Sequence, residues 1–274
     1  MKHFLVAGDP VEHSLSPEMH NAALKTMGLE NEYTYSKKQV KTDELAQFAD
    51  SLKNIEGANI TIPHKVQIIK YLDELTKEAH LIGSVNTIYK RAGKLIGHNT
   101  DGKGAVDSLL ENISIEDKTI LIIGAGGASR AIAFSLALNP VKKIILMNRT
   151  REKAEILAND IMKKTFTYTD VVDSFDPEGV DIIINCTSLG LRGFSENASP
   201  IEESKLRKGM TVMDIVYNPI ETKLLKLAKE KGCKVVNGVG MFVNQGAIAL
   251  ETWTGKIAPR DVMRQVVLKK LIND

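Results

Sequence analysis

The chain has 274 residues, enough for one large or two modest domains. Its 43% apolar and 26% charged residues are ordinary for a globular protein, and a net charge of +2 with no basic tract interleaved with aromatics argues against nucleic acid. No apolar run reaches the roughly 18 residues a membrane-spanning helix needs, and a chain that opens almost directly on a strand pattern carries no secretory leader, so a cytoplasmic enzyme is expected.

In chain order, residues 3–9 predict a buried strand ending at Gly8. A loop through Ser14 leads to Ser16-Pro17, an N-cap and N1 pair that predicts a helix running to about Met27 and stopped by Gly28. A strand over 31–37 and a helix over 42–53, capped by Thr42, follow. Residues 57–62 predict the third strand, 63–72 a helix, 76–81 a short helix before Gly83, and 85–97 a hairpin about Ala92-Gly93. This first part is an α/β unit of its own. His98 to Gly102 reads as a polar turn, and residues 104–110 as a linking helix.

The stretch 118–153 carries the plainest signal. Residues 119–123 form a short β-branched run, as in a buried parallel strand. Gly124-Ala125-Gly126-Gly127-Ala128 opens a helix that ends near Leu138, and 143–147 is a second buried strand. A strand, a glycine-rich turn, a helix and a strand within about thirty residues make the unit that binds dinucleotides. The glycines allow a sharp turn and close approach of the backbone to a pyrophosphate at the helix N-terminus. Ser129 stands where the pattern has its third small residue. At the end of the second strand, where a ribose 2′-OH usually meets a carboxylate, the sequence has Asn148-Arg149-Thr150-Arg151, with Lys153 nearby. Guanidinium groups there suit a 2′-phosphate, so the cofactor reading is NADP(H); a solvated basic helix start is the alternative. Beyond lie expected strands at 165–168, 179–186, 210–216 and 234–237, and helices at 222–231, 241–253 and 261–271. The last two helices are expected to fold back on the first domain.

Four polar clusters sit just past strand ends: Ser14/Ser16, Asn59/Thr61/Lys65, Asn86/Thr87 and Asn99/Thr100/Asp101. Reduction of a ketone by hydride needs a proton for the nascent alkoxide. Lys65 and Asp101 are the one acid–base pair suited to supply it. Taken singly, each has a plainer explanation, an exposed lysine and a turn or cap aspartate, since such residues are abundant in turns and helix starts. Ser14 and Ser16 offer hydroxyls suited to a carboxylate, although N-capping also accounts for Ser16. The two cysteines, Cys186 and Cys233, lack metal-type spacing and read as buried reduced thiols, and the 6 histidines form no ligand pattern, so no metal is expected.

Taken together, GDPVEHSLSPEMHN (8–21), GANITIPHK (57–65), GSVNTI (83–88), HNTDGKG (98–104), GAGGASRA (124–131), NRT (148–150), NCTSLG (185–190), DIVYNP (214–219) and NGVGMFVNQGAIALETWTG (237–255) resemble the shikimate dehydrogenase family over nearly the whole chain. The resemblance implies a two-domain α/β fold. Residues 1–103 plus 239–274 would be the substrate-binding and catalytic domain, and 104–238 a Rossmann-like, doubly wound NADP-binding domain, with a cleft between them. It implies reversible NADPH-dependent reduction of 3-dehydroshikimate to shikimate by a monomer or homodimer, without nucleic-acid or membrane partners. Lys65 and Asp101 would be the catalytic pair. Ser14 and Ser16 would hold the substrate carboxylate, and Thr61 and Asn86 the ring hydroxyls, with Tyr217 and Gln245 completing the site beside Asn59. The cofactor would meet Gly124, Ala125, Gly126, Gly127, Ala128, Asn148, Arg149, Thr150, Arg151, Lys153, Thr187, Ile215, Gly238 and Met241. Two other readings compete: a quinate/shikimate dehydrogenase of broader substrate or cofactor use, and a dinucleotide sensor without chemistry, against which Lys65 and Asp101 speak.

Overall fold

In the computed structural model, which describes residues 1–273, the chain divides into two units. One is Met1–Asp101 together with the chain from Val243 onward; the other is Gly102–Phe242.

The first unit begins with β1 (Lys2–Gly8), α1 (Ser16–Thr26), β2 (Tyr33–Gln39), α2 (Leu45–Ser51), β3 (Gly57–Ile60), β4 (Glu74–Leu75), α3 (Lys77–Ile82), β5 (Thr87–Arg91) and β6 (Lys94–His98). Its six strands run in the order β2-β1-β3-β5-β6-β4. The apolar run of β1 is buried and pairs in parallel with both neighbours, as its lack of alternation requires. β5 turns the sheet antiparallel against β3 and β6. The β5–β6 turn puts Ala92 at φ 51° and Gly93 at φ 78°, the paired left-handed residues that match strand twist. α3 is closed at both ends by its sequence. Thr76 Oγ1 accepts from Ala79 N, and Gly83 takes φ 71°.

Three local expectations fail here, each for a physical reason. Ser16 is not an N-cap: α1 starts at Ser16 itself, which is buried, and Ser14 Oγ accepts the Ser16 amide at 3.3 Å. Thr42 caps nothing, because Glu44 reaches back to the Lys41 amide at 2.9 Å and only 45–51 is α-helical. The helix expected over 63–72 is a turn followed by a 3₁₀ segment, Gln67–Tyr71. The Lys65 carbonyl is taken by Val85 N at 2.8 Å, so Ile69 N bonds Val66 O instead of continuing an α-helical ladder.

The second unit contains nearly all of α4 (Asp101–Leu110), then β7 (Thr119–Ile123), α5 (Gly127–Ala137), β8 (Lys143–Met147), α6 (Arg151–Thr165), β9 (Thr169–Val172), β10 (Ile182–Asn185), β11 (Thr211–Asp214), α7 (Lys223–Glu230) and β12 (Lys234–Val236). All its strand pairs are parallel, in the order β12-β11-β10-β7-β8-β9. That is the doubly wound dinucleotide-binding order, with its reversal between β7 and β10. The strand expected at 165–168 lies instead at 169–172. α6 continues to Thr165, and Phe166 closes it with φ 63°.

α8 (Gly238–Thr254) starts three residues before its expected beginning, with Asn237 Oδ1 accepting Val239 N at 3.1 Å, and α9 (Arg260–Asn273) follows. Within the first unit, the sole tryptophan, Trp253 on α8, stacks on Phe4 at 4.7 Å and donates Nε1–H to Ile88 O at 2.9 Å. Gly57 makes room for it, since a Cβ there would fall 2.3 Å from the indole nitrogen.

Candidate active site

Polar side chains of the first unit converge at the C-terminal edge of β3 and the start of α4. Lys65 Nζ lies 2.6 Å from Asp101 Oδ2, with the two side chains only 18% and 8% exposed. Asp101 opens α4 rather than sitting in a loop, and its amide donates to Asn99 Oδ1 at 3.1 Å. Its other oxygen accepts from Asn86 Nδ2 at 2.8 Å. The same amide nitrogen reaches Thr100 Oγ1 at 2.9 Å and Gln245 Oε1 at 3.4 Å. Asn86 Oδ1 accepts from Thr100 N at 2.8 Å and from Thr87 Oγ1 at 3.0 Å, which fixes the orientation of its amide. A short, charge-assisted pair in a partly dry setting is chemically able to exchange a proton with a ligand oxygen.

Asn59, also expected to meet substrate, hydrogen-bonds within the protein at both ends of its amide, as Asn86 does. Its oxygen accepts from the Tyr35 phenol at 2.7 Å, and its nitrogen reaches Thr87 Oγ1 at 3.1 Å and Asn86 O at 3.2 Å. Thr61 follows β3, where its amide bonds Ala7 O at 2.8 Å and its methyl packs on Gly8. Tyr217 belongs to the second unit and stacks on Phe242 at 4.5 Å.

In the second unit the glycine turn follows β7 at the switch point. Gly124 takes φ 112°, and a Cβ there would crowd Cys186 O at 3.2 Å. Gly126 is the N-cap of α5, with no side-chain cap, and a Cβ there would meet nothing within 4 Å. The first-turn amides thus face open space at the positive end of a helix, a fit for a pyrophosphate. Ala125 and Lys153 line a cavity of about 170 Å³ beside this turn, together with Arg130, Ile156 and Leu157.

The basic cluster after β8 divides in two. Arg149 is exposed and makes no hydrogen bond or ion pair among the described residues, whereas Arg151 bonds Glu155 at 2.8 Å and Asp173 at 2.7 Å. Arg151, also expected on a phosphate, thus has two carboxylate partners where Arg149 has none. Asn148 Nδ2 bonds Thr150 O at 2.7 Å and so shapes the bend. Arg130, given no role from the sequence, pairs with Asp160 at 2.7 Å; its only signal was its place four residues past Gly126.

A buried network at the ends of β10 and β11 also escaped the sequence reading. Asn185 and Asp214 are register partners, joined by Asn185 Nδ2 to Asp214 Oδ1 at 2.9 Å. Asp214 further accepts from Val216 N at 3.0 Å and Thr222 Oγ1 at 2.7 Å. Asn185 Oδ1 holds both the amide and the hydroxyl of Thr187, at 3.0 and 2.7 Å. Burial pushes the Asp214 carboxyl up to about 6, against the pull of these three donors. Asn185 opens NCTSLG and Asp214 opens DIVYNP, so both were visible in motifs without a role. Gly238 packs on the same loop, since a Cβ there would fall 2.4 Å from Ile215 O. Met241 is buried beyond it. Both cysteines are free, and among the described residues no three His, Cys, Asp or Glu side chains are grouped to hold a metal.

A parallel sheet wound in this order, with a glycine turn at its switch point, defines a dinucleotide-binding α/β protein. Family models narrow the class. The shikimate dehydrogenase substrate binding domain matches residues 6–88, shikimate / quinate 5-dehydrogenase matches 106–235, and the shikimate 5′-dehydrogenase C-terminal domain matches 238–268. Shikimate dehydrogenase (NADP(+)) of Methanocaldococcus jannaschii is 48% identical, over 96% of this chain and 95% of its own. A crystal structure of a shikimate dehydrogenase in complex with NADP+ superposes with a TM-score of 0.94 at 46% identity, covering 99% of this chain and 96% of that one. The ligand-free 5-ketofructose reductase of Gluconobacter sp. strain CHM43 gives 0.90 at 38% identity, covering 98% of each chain. The chain belongs to the shikimate dehydrogenase family.

Proposed function

We propose that the chain reversibly reduces 3-dehydroshikimate to shikimate with NADPH, a step of aromatic amino-acid biosynthesis. The observation that carries this reading is the Lys65–Asp101 contact, with Asn86 and Gln245 gathered on it, in a chain of this family. NADPH supplies the hydride when bound. Lys65 gives a proton to the C3 oxygen as it becomes an alkoxide, and takes it back in the reverse direction. Asp101 holds the ammonium in place and balances its charge. Asn86, Gln245, Thr61 and Tyr217 hydrogen-bond the ring hydroxyls, and Ser14 and Ser16 receive the carboxylate. Asn59 acts one step back, by orienting Asn86 and Thr87.

On the cofactor side, the residues from Gly124 to Ala128 suit a pyrophosphate, and Arg149 with Lys153 the 2′-phosphate. Asn148 and Thr150 shape that corner, and Thr187, Ile215, Gly238 and Met241 complete the cofactor surface. No helix is long and apolar enough to cross a membrane among the described residues. A cytoplasmic monomer or homodimer fits the proposed role.

Steady-state assays of shikimate and quinate, each with NADP+ and NAD+, test the reading. The highest kcat/KM is expected for shikimate with NADP+, and absence of shikimate oxidation sinks it. Comparable quinate turnover would establish the broader dehydrogenase instead. The likeness to a 5-ketofructose reductase makes 5-ketofructose, reduced with NADPH, the third substrate to include.

A further inference from the structure

Tyr35 has no role in the proposed reaction, yet its hydroxyl is bonded to the polar network that ends on Asp101. It lies on β2 with its ring buried, and the Asn21 side chain clamps its backbone, accepting from Tyr35 N at 2.9 Å and donating to Tyr35 O at 2.8 Å. One ring face stacks on His20 at 4.2 Å with the planes 6° apart. His20 is itself neutral, its imidazole pushed down to about 3 by complete burial, so the phenol rests on an uncharged plate.

The hydrogen bonds leaving this phenol have a fixed direction. Asn59 gives its nitrogen to Thr87 Oγ1 and Asn86 O, so its oxygen must face Tyr35 and the phenol must donate, at 2.7 Å. Onward, Thr87 donates to Asn86 Oδ1 at 3.0 Å, and Asn86 donates to Asp101 Oδ1 at 2.8 Å. Tyr35, Asn59, Thr87 and Asn86 thus form one run of donors, all pointing the same way and ending on the Asp101 carboxylate. Such a run polarises cooperatively, and reversing one member leaves a buried donor facing a donor.

We propose that Tyr35 is a positioning residue for the shikimate reaction: its hydroxyl holds the Asn59 amide and so fixes the orientations that aim Asn86 at Asp101. This rests on the functional reading above. Tyr35→Phe removes one oxygen and keeps the ring and its stack on His20.

Loss of a buried hydrogen bond that leaves Asn59 Oδ1 unpaired predicts a fall of about tenfold in kcat/KM for shikimate. The fall is expected in both KM for shikimate and kcat, while the Kd for NADPH, read by fluorescence titration, stays within about twofold. General loosening of the fold would not produce that split. A variant whose kcat/KM for shikimate matches wild type overturns the proposal. If the wild-type protein does not oxidise shikimate, the functional reading has failed on its own, and a crystal structure of the variant decides for Tyr35. A rotated Asn59 or Asn86 amide supports the positioning role, and unmoved amides overturn it.

Discussion

Lys65 and Asp101 meet at 2.6 Å from positions 36 residues apart, one on the turn after β3 and the other at the first residue of α4. The contact leaves Lys65 partly open to solvent and Asp101 nearly closed off, with Asn86 on the second oxygen of the carboxylate. Lysine is thus the member free to meet a ligand. Lys65→Ala is expected to cut kcat by about 10²- to 10⁴-fold, with KM for shikimate changed only severalfold. Asp101→Asn is expected to lower kcat as well, because the neutral amide no longer holds the ammonium. A turnover number unchanged in Lys65→Ala removes the proton-transfer role.

The two arginines after β8 make a paired test of cofactor choice. Arg149→Ala is expected to raise KM for NADPH far more than for NADH. Arg151→Ala is expected to act equally and weakly on both, since that side chain answers Glu155 and Asp173. Kinetics of the two variants with each cofactor check this, and equal effects of Arg149→Ala on both cofactors refute the phosphate assignment.

Asp214 ties stability to pH. Its carboxyl is raised from 3.8 to about 6 by burial, so the folded protein binds that proton more tightly than the unfolded chain. The stabilisation is fully present below about pH 4 and is lost as pH rises through 6, worth on the order of 3 kcal/mol. Asp214→Asn keeps one acceptor oxygen and cannot ionise. The stability of wild type relative to this variant, from denaturant unfolding, is expected to decline between pH 4 and 7. A flat difference across that range counts against it.

Gly57→Ala puts a methyl where the indole of Trp253 lies. Indole and strand must separate, and the bond from Nε1 to Ile88 O is lost. A destabilisation of about 1–3 kcal/mol is expected. A change in emission from the only tryptophan should accompany it, read by fluorescence through a thermal melt. A variant with wild-type emission and midpoint contradicts the packing described.

Elements fixed by their own residues were legible in the sequence. β7 and β8 fall at the expected 119–123 and 143–147 because an apolar β-branched run has little alternative to a buried parallel strand. Thr76 and Gly83 bracket α3 for similarly local reasons. What failed depended on distant partners. Val85 claims the Lys65 carbonyl and stops a helix. Spacing alone did not bring Lys65, Asn86, Asp101 and Gln245 together either, since Gln245 stands 159 residues from Asn86. Their grouping entered through the family resemblance, and the polar atoms that fix their orientation, on Tyr35, Thr87 and Asn99, are identified by the structure.

Gly126 caps α5 with open space where a side chain would stand, and its backbone is not left-handed. Nothing inside the protein asks for glycine there; an alanine would fold. On the function proposed above, the requirement comes from outside, from an anion that comes close to the helix end. A library of variants screened only for well-folded protein would pass such a change unnoticed, while one screened for growth without the product of the pathway would reject it. The gap between the two screens measures how much of this sequence is kept for the ligand's sake alone.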